Sequence, residues 1–177
     1  MRKGGLWGFA SVAIALGHSR IVHFIHELMP PVLCCFADHD AKVRFHACES
    51  LYNIAKIARE FSLVHFSGIF DGLCKLSADP DPAVKNASTL LDRLMKDIVT
   101  EDEEHYFDIE SFIVLIRDRI SSNNPFVRQF LVGWIMILDS VPDIDMIEYL
   151  PQFLNGLFCM LSDPNKEIVL RASSVLD

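Results

Sequence analysis

Four short segments, Asp40-Ala41-Lys42-Val43, Asp81-Pro82-Ala83-Val84, Asn124-Pro125-Phe126-Val127 and Asn165-Lys166-Glu167-Ile168, share one pattern, and their last residues stand 41, 43 and 41 positions apart. Each reads as a helix start. Asp and Asn side chains accept hydrogen bonds from the free N–H groups of a first helical turn. Pro82 and Pro125 take the next position, where a missing N–H costs nothing. Units of this length cannot bury their own apolar faces, so they must stack on one another, and the period is that of HEAT-type helical pairs.

Helical periodicity agrees. Val43, Ala47, Leu51 and Ile54 fall on one face, as do Val84, Ala87, Leu91, Leu94 and Ile98. Before each cap lies a second apolar helix, over residues 21–37, 61–77, 109–121 and 146–162. Pro30, Pro31 and Pro151 are expected to end or bend these first helices, since an interior proline removes a hydrogen bond and crowds the preceding turn. The expected fold is all-α, a HEAT-repeat α-solenoid of stacked antiparallel helix pairs. It reads as a single array over 1–177: a lone second helix at 1–17, repeats at 21–59, 61–99 and 107–139, and a truncated repeat at 146–177. Because both ends fall inside a repeat, the chain reads as a fragment. The acidic run Thr100-Glu101-Asp102-Glu103-Glu104-His105 is expected to be an exposed loop.

Charge narrows the function classes. With 16 Lys plus Arg against 24 Asp plus Glu, a net charge of -8, the chain lacks the cationic surface that nucleic acids or an acidic membrane require. Arg44, Lys85 and Arg128, just past their anchors, are expected to pair with turn acids of neighbouring repeats. The five cysteines, Cys34, Cys35, Cys48, Cys74 and Cys159, are odd in number and show no C-x-x-C spacing, so they read as reduced, packed thiols. Arg2-Lys3 followed by Leu6 to Leu16 imitates a signal peptide, and Asn86-Ala87-Ser88 a glycosylation sequon, but a buried repeat helix accounts for the same apolar run. No apolar run reaches the roughly 18 to 20 residues that cross a bilayer.

Catalytic and metal chemistry find little support. His26-Glu27 is the one His-Glu dipeptide, which cannot supply the ligand set of a di-iron HEAT-repeat enzyme. His23 and His26 share a helix but lack two further ligands at workable spacing. No cofactor, metal or catalytic residue is therefore assigned. In the helix that starts at Pro125, Val127, Leu131, Trp134 and Leu138 form the expected core stripe, while Phe126, Val132, Met136 and Ile137 lie away from it. A helix apolar all round is either buried on several sides or carries a docking patch, so these four are the candidate partner-binding residues.

Several strings go beyond generic repeat chemistry: Arg2-Lys3-Gly4-Gly5-Leu6, Ala47-Cys48-Glu49-Ser50-Leu51-Tyr52-Asn53-Ile54, Leu90-Leu91-Asp92-Arg93-Leu94, Lys96-Asp97-Ile98-Val99-Thr100-Glu101 and Ser140-Val141-Pro142-Asp143. With them the chain closely resembles the amino-terminal HEAT repeats of the Vac14 family over its whole length. That resemblance implies a non-catalytic scaffold that gathers the phosphatidylinositol 3-phosphate 5-kinase PIKfyve (Fab1) and a Sac-domain phosphoinositide phosphatase, the phosphatase through regions with no match here. It implies support for phosphatidylinositol 3,5-bisphosphate synthesis and turnover, and a cytoplasmic protein peripheral on endosomal or vacuolar membranes, reaching the membrane only through the complex. The rival reading is a generic HEAT-repeat adaptor or transport receptor with an acidic inner face for basic cargo.

Overall fold

The computed structural model describes residues 2–103, 106–141 and 144–176, and among these the secondary structure is helical, with no strand. Glu104 and His105 of the acidic run, and Pro142-Asp143 among the strings quoted above, lie outside the described residues. The chain divides into two compact units, 1–107 and 108–177.

The first unit holds α1 (Arg2–Leu16), a single turn α2 (His18–Ile21), α3 (Ile25–Cys34), α4 (Ala41–Ala58), α5 (Phe66–Leu76) and α6 (Pro82–Thr100). Short 3-10 turns extend α3 over Cys35–Ala37 and precede α5 over Arg59–His65. α3 packs on α4 and α5 on α6 as pairs. The pairs stack so that α1, α4 and α6 form one layer, while α3 lies against α5 in the other. Val43, Ala47, Leu51 and Ile54 are buried as the periodicity predicts, and burial of each large apolar side chain supplies about 1.5 to 3 kcal/mol. In α6 the expected stripe is corrected at one position. Ala87 is only half-buried, and Ser88 is buried in its place, its hydroxyl satisfied by the Lys85 carbonyl at 2.9 Å.

The caps form as the sequence predicts. Asp40 Oδ1 accepts from Lys42 N–H at 2.9 Å, and Asp81 Oδ1 from Ala83 and Val84 at 2.8 and 3.2 Å. Asn124 Oδ1 accepts from Phe126 and Val127 at 2.9 and 3.4 Å, and Asn165 Oδ1 from Glu167 at 3.0 Å. Two first helices differ from expectation. The first begins at Ile25 rather than 21, and the second at Phe66 rather than 61, because residues 59–65 close as a 3-10 segment after α4 ends at Ala58, its cap Arg59 standing at a φ of +51°. The prolines do not end their helices: α3 continues through Pro30 and Pro31, and the helix Met146–Met160 through Pro151. All three are exposed, as are His26, Glu27 and Ile147 four residues before them, so water can satisfy the carbonyls that the prolines leave without a donor.

The second unit repeats the plan with α7 (Ile109–Arg119), α8 (Pro125–Asp139), α9 (Met146–Met160) and α10 (Lys166–Leu176), where α7 lies against α9 and α8 against α10. Phe112 of α7 and Trp134 of α8, both buried, meet with ring centroids 5.7 Å apart.

An arginine clamp ties successive turns in each unit. Arg44 grips Asp79 with Nε and Nη2 at 2.7 and 2.9 Å, and its Nη1 donates to the Asp38 and His39 carbonyls at 2.7 and 3.2 Å. Arg128 pairs with Asp163 and donates from Nε to the Ser122 carbonyl at 2.6 Å. Arg44 and Arg128 thus do pair with turn acids, as expected from their place after the anchors. The two-point contact of Arg44 with Asp79 fixes geometry as well as charge.

Candidate functional site

The layer α1–α4–α6 carries two adjoining grooves. The larger, about 410 Å³, runs between α4 and α6 and is lined by Phe45, Cys48, Tyr52, Ala83, Ala87 and Leu90, with Glu49, Asn53 and Asn86 at its polar edge. The second, about 310 Å³, runs between α1 and α4, past Trp7, Ala10, Ser11 and Ile14, and shares Glu49 and Asn53 with the first. Helical spacing makes this face. Leu6, Ala10 and Ala13 turn inward from α1, which leaves Trp7 and Ile14, 62% and 57% exposed, on its outer side. The Ser50 hydroxyl fixes α1 to α4 by a buried bond to the Leu6 carbonyl at 2.8 Å. From α6, Leu90 projects 56% exposed.

Glu49 lies between the grooves, and its carboxylate is 2.8 Å from His46 Nδ1. Trp7 Nε1 points to the same nitrogen at 3.4 Å. One Nδ1 cannot both donate to Glu49 and accept from Trp7, and the shorter bond to a charged acceptor prevails. The indole therefore meets the imidazole edge-on, with centroids 5.7 Å apart. The floor residue Cys48 is buried, and burial, with Asp79 and Glu49 adding to it, pushes its thiol up to about 12. It stays protonated and is no nucleophile. His65, whose Nε2 is buried without a hydrogen-bond partner, is pushed below the usual imidazole range by burial and then by His26, whose ring lies 5.0 Å away. Among the described residues no three His, Cys, Asp or Glu side chains are placed to hold a metal, and no helix is long and apolar enough to cross a membrane.

The four candidates of α8 do not stay together. Val132 is 0% exposed, which corrects its assignment as a docking residue: α8 faces both α9 and α10, so its buried arc spans Phe130, Leu131, Val132, Trp134, Ile135 and Leu138. Phe126 and Met136 are 45% and 37% exposed and Ile137 is half-buried, a narrow strip along one side of the helix. Val127, assigned to the core stripe, is only half-buried. Sequence reasoning assigned no role to the α1–α4–α6 face. The signal was present in Trp7, Ile14 and Leu90, large apolar residues at positions that the core stripes leave outside.

Stacked helical pairs with a grooved, solvent-facing layer define a helical-repeat protein of the α-solenoid class. The family model of the Vacuolar 14 Fab1-binding region matches residues 1–97, more than half of the chain, and the chain belongs to that family. It is 54% identical over 175 residues to Protein VAC14 homolog of Arabidopsis thaliana, a match covering 99% of this chain and 23% of the relative. To Vacuole morphology and inheritance protein 14 of Saccharomyces cerevisiae it is 40% identical over 212 residues, covering 99% and 24%. To Protein VAC14 homolog of Schizosaccharomyces pombe it is 41% identical over 207 residues, covering 98% and 25%. The chain thus spans about a quarter of the length of these curated relatives. Among solved structures, a designed armadillo repeat protein in complex with peptide (KR)4 superposes with a TM-score of 0.42 at 16% identity, over 98% of this chain and 90% of that one. A superposition that loose adds nothing to the sequence matches.

Proposed function

We propose that this chain is the kinase-holding part of a non-catalytic scaffold, which binds the Fab1 lipid kinase and so supports phosphatidylinositol 3,5-bisphosphate synthesis and turnover on endosomal or vacuolar membranes. The observation that carries the reading is the match of residues 1–97 to the Fab1-binding region. The chemistry of the face supports it: an apolar groove with sparse charge suits a protein surface, and the protonated Cys48 thiol offers no nucleophile. A surface with a net charge of -8 makes direct adhesion to acidic lipid unfavourable, so membrane contact comes through the kinase. In the same reading the Sac-domain phosphatase is held by parts of the family outside the quarter that this chain matches.

A generic adaptor for basic cargo is the weaker alternative. Among their described lining residues the grooves show no acidic ladder of the kind such cargo needs, with Glu49 the one carboxylate. Interferometry with immobilised, purified Fab1 tests the reading. Saturable binding of the purified chain, with no phosphate transfer to or from lipid by the chain alone, is the expected result. Absence of binding at tens of micromolar overturns it.

A further inference from the structure

We propose that the two adjoining grooves of the α1–α4–α6 face receive one continuous segment of Fab1, with an apolar side chain seated between α4 and α6 and a Lys or Arg set against Glu49. This rests on the reading that residues 1–97 hold Fab1, and it names where and by what chemistry.

Position comes first. Both grooves lie wholly within residues 1–97, whereas the exposed strip of α8 lies outside the stretch that the Fab1-binding family model matches. Shape comes next. The α4–α6 groove is walled by the small side chains Ala83 and Ala87 on one side and by Phe45 and Tyr52 on the other, which leaves room for a bulky side chain beside Leu90. Trp7 and Ile14 continue the apolar surface across α1. A segment lying along both grooves covers three of the large apolar side chains that the first unit exposes.

Charge decides what the segment must carry. Glu49 lines both grooves and is the one charged side chain among their described lining residues; its counter-group here is the His46 imidazole. Covering the grooves withdraws that carboxylate from water, and the one hydrogen bond from His46 to Oε2 leaves Oε1 to be satisfied by the occupant. The occupant therefore brings its own cation, which also sets its register along the face. Asn53 and Asn86 at the rim supply amides suited to the backbone of an extended or helical segment. A phosphate-bearing occupant is disfavoured by the same carboxylate, with no Lys or Arg among the described lining residues to offset it.

The test measures affinity of the purified chain for immobilised Fab1 with single substitutions at exposed or half-buried positions, each checked for helical content by circular dichroism. Leu90→Arg and Ala87→Arg should each weaken binding by about thirtyfold or more, as for a truncated or blocked hot spot. Glu49→Lys should weaken it about tenfold by placing like charges together, while Leu170→Asp, on α10, should leave it within about twofold. A photoreactive side chain placed at Ala87 should crosslink to a Fab1 peptide that carries an apolar residue next to Lys or Arg. If the parent binds and all three groove variants bind equally well, the groove assignment falls and the scaffold reading stands. If the parent does not bind, the reading falls and takes the assignment with it. Loss of a concentration-dependent dimer in light scattering, with Fab1 affinity intact, would make a second copy the occupant and overturn the proposal.

Discussion

Two glycines one turn apart on α5 are predicted to respond to alanine with opposite signs. A Cβ at Gly72 would stand 2.1 Å from Phe36 Cδ2 and 2.7 Å from Cε2, where carbon atoms in contact keep about 3.5 to 4.0 Å. Ring and helix would have to separate by about 1.5 Å, and Phe36 is buried, so its ring has nowhere to go. Overpacking of this kind costs about 1 to 3 kcal/mol, with a clash this short at the upper end, while helix propensity returns about 1 kcal/mol. Gly72→Ala should therefore destabilise by about 2 kcal/mol. At Gly68 the nearest atom is Leu33 Cδ1 at 3.1 Å, a flexible tip that yields by a few tenths of an ångström. There the propensity gain wins, and Gly68→Ala should stabilise by about 0.5 kcal/mol. Urea denaturation followed by circular dichroism measures both. Adding Phe36→Leu should recover part of the Gly72→Ala loss through the coupling between contacting residues. Equal stabilisation by both alanines would refute the close approach of α5 to the end of the α3 segment.

Asp81→Ala should lower stability by about 1 kcal/mol, the usual worth of an N-cap, read as a fall in the urea midpoint; an unchanged midpoint would mean that the helix start does not depend on the side chain. Burial raises the Asp79 carboxyl, but hydrogen bonds from Arg44 and the Asp81 N–H, with the charges of Arg44 and Lys85, outweigh it and hold the group below its usual 3.8. Its contribution is thus fully present above about pH 4 and is lost as pH falls through the lower folded value. Asp79→Asn should cost stability at pH 7 and flatten the acid limb of a pH–melting curve. Val132→Glu should unfold the second unit, since an unpaired buried carboxylate costs several kcal/mol, whereas Met136→Glu, at a partly exposed site, should shift the melting temperature by no more than about 2 °C.

The caps and the pairing of Arg44 and Arg128 with turn acids were legible because each depends on local chemistry at a fixed offset. Asp40, Asp81, Asn124 and Asn165 act within three residues of themselves, and the clamp acids Asp79 and Asp163 each stand two residues before a cap. Packing between repeats was less legible. Gly72 and Gly156 each stand seven residues before a clamp acid, Asp79 or Asp163, and receive Phe36 and Ile120 of the preceding repeat at distances that no Cβ permits. The fixed spacing of these glycines was the available clue. Val132 was misplaced because a helical wheel built on one core stripe assumes one buried side, while α8 is covered by both α9 and α10. The grooved face was missed for the opposite reason: small residues such as Ala87 satisfy core periodicity and yet line a groove, and periodicity alone does not separate the two.

Hydrogen exchange of the purified chain, free and saturated with Fab1, tests the central claim most directly, because amide protection reports both that a complex forms and which helices it covers. Fab1 should slow exchange within residues 1–97, most strongly in α1, α4 and α6, and leave α8 and α10 unchanged. No complex, or protection confined to α8, would contradict the account.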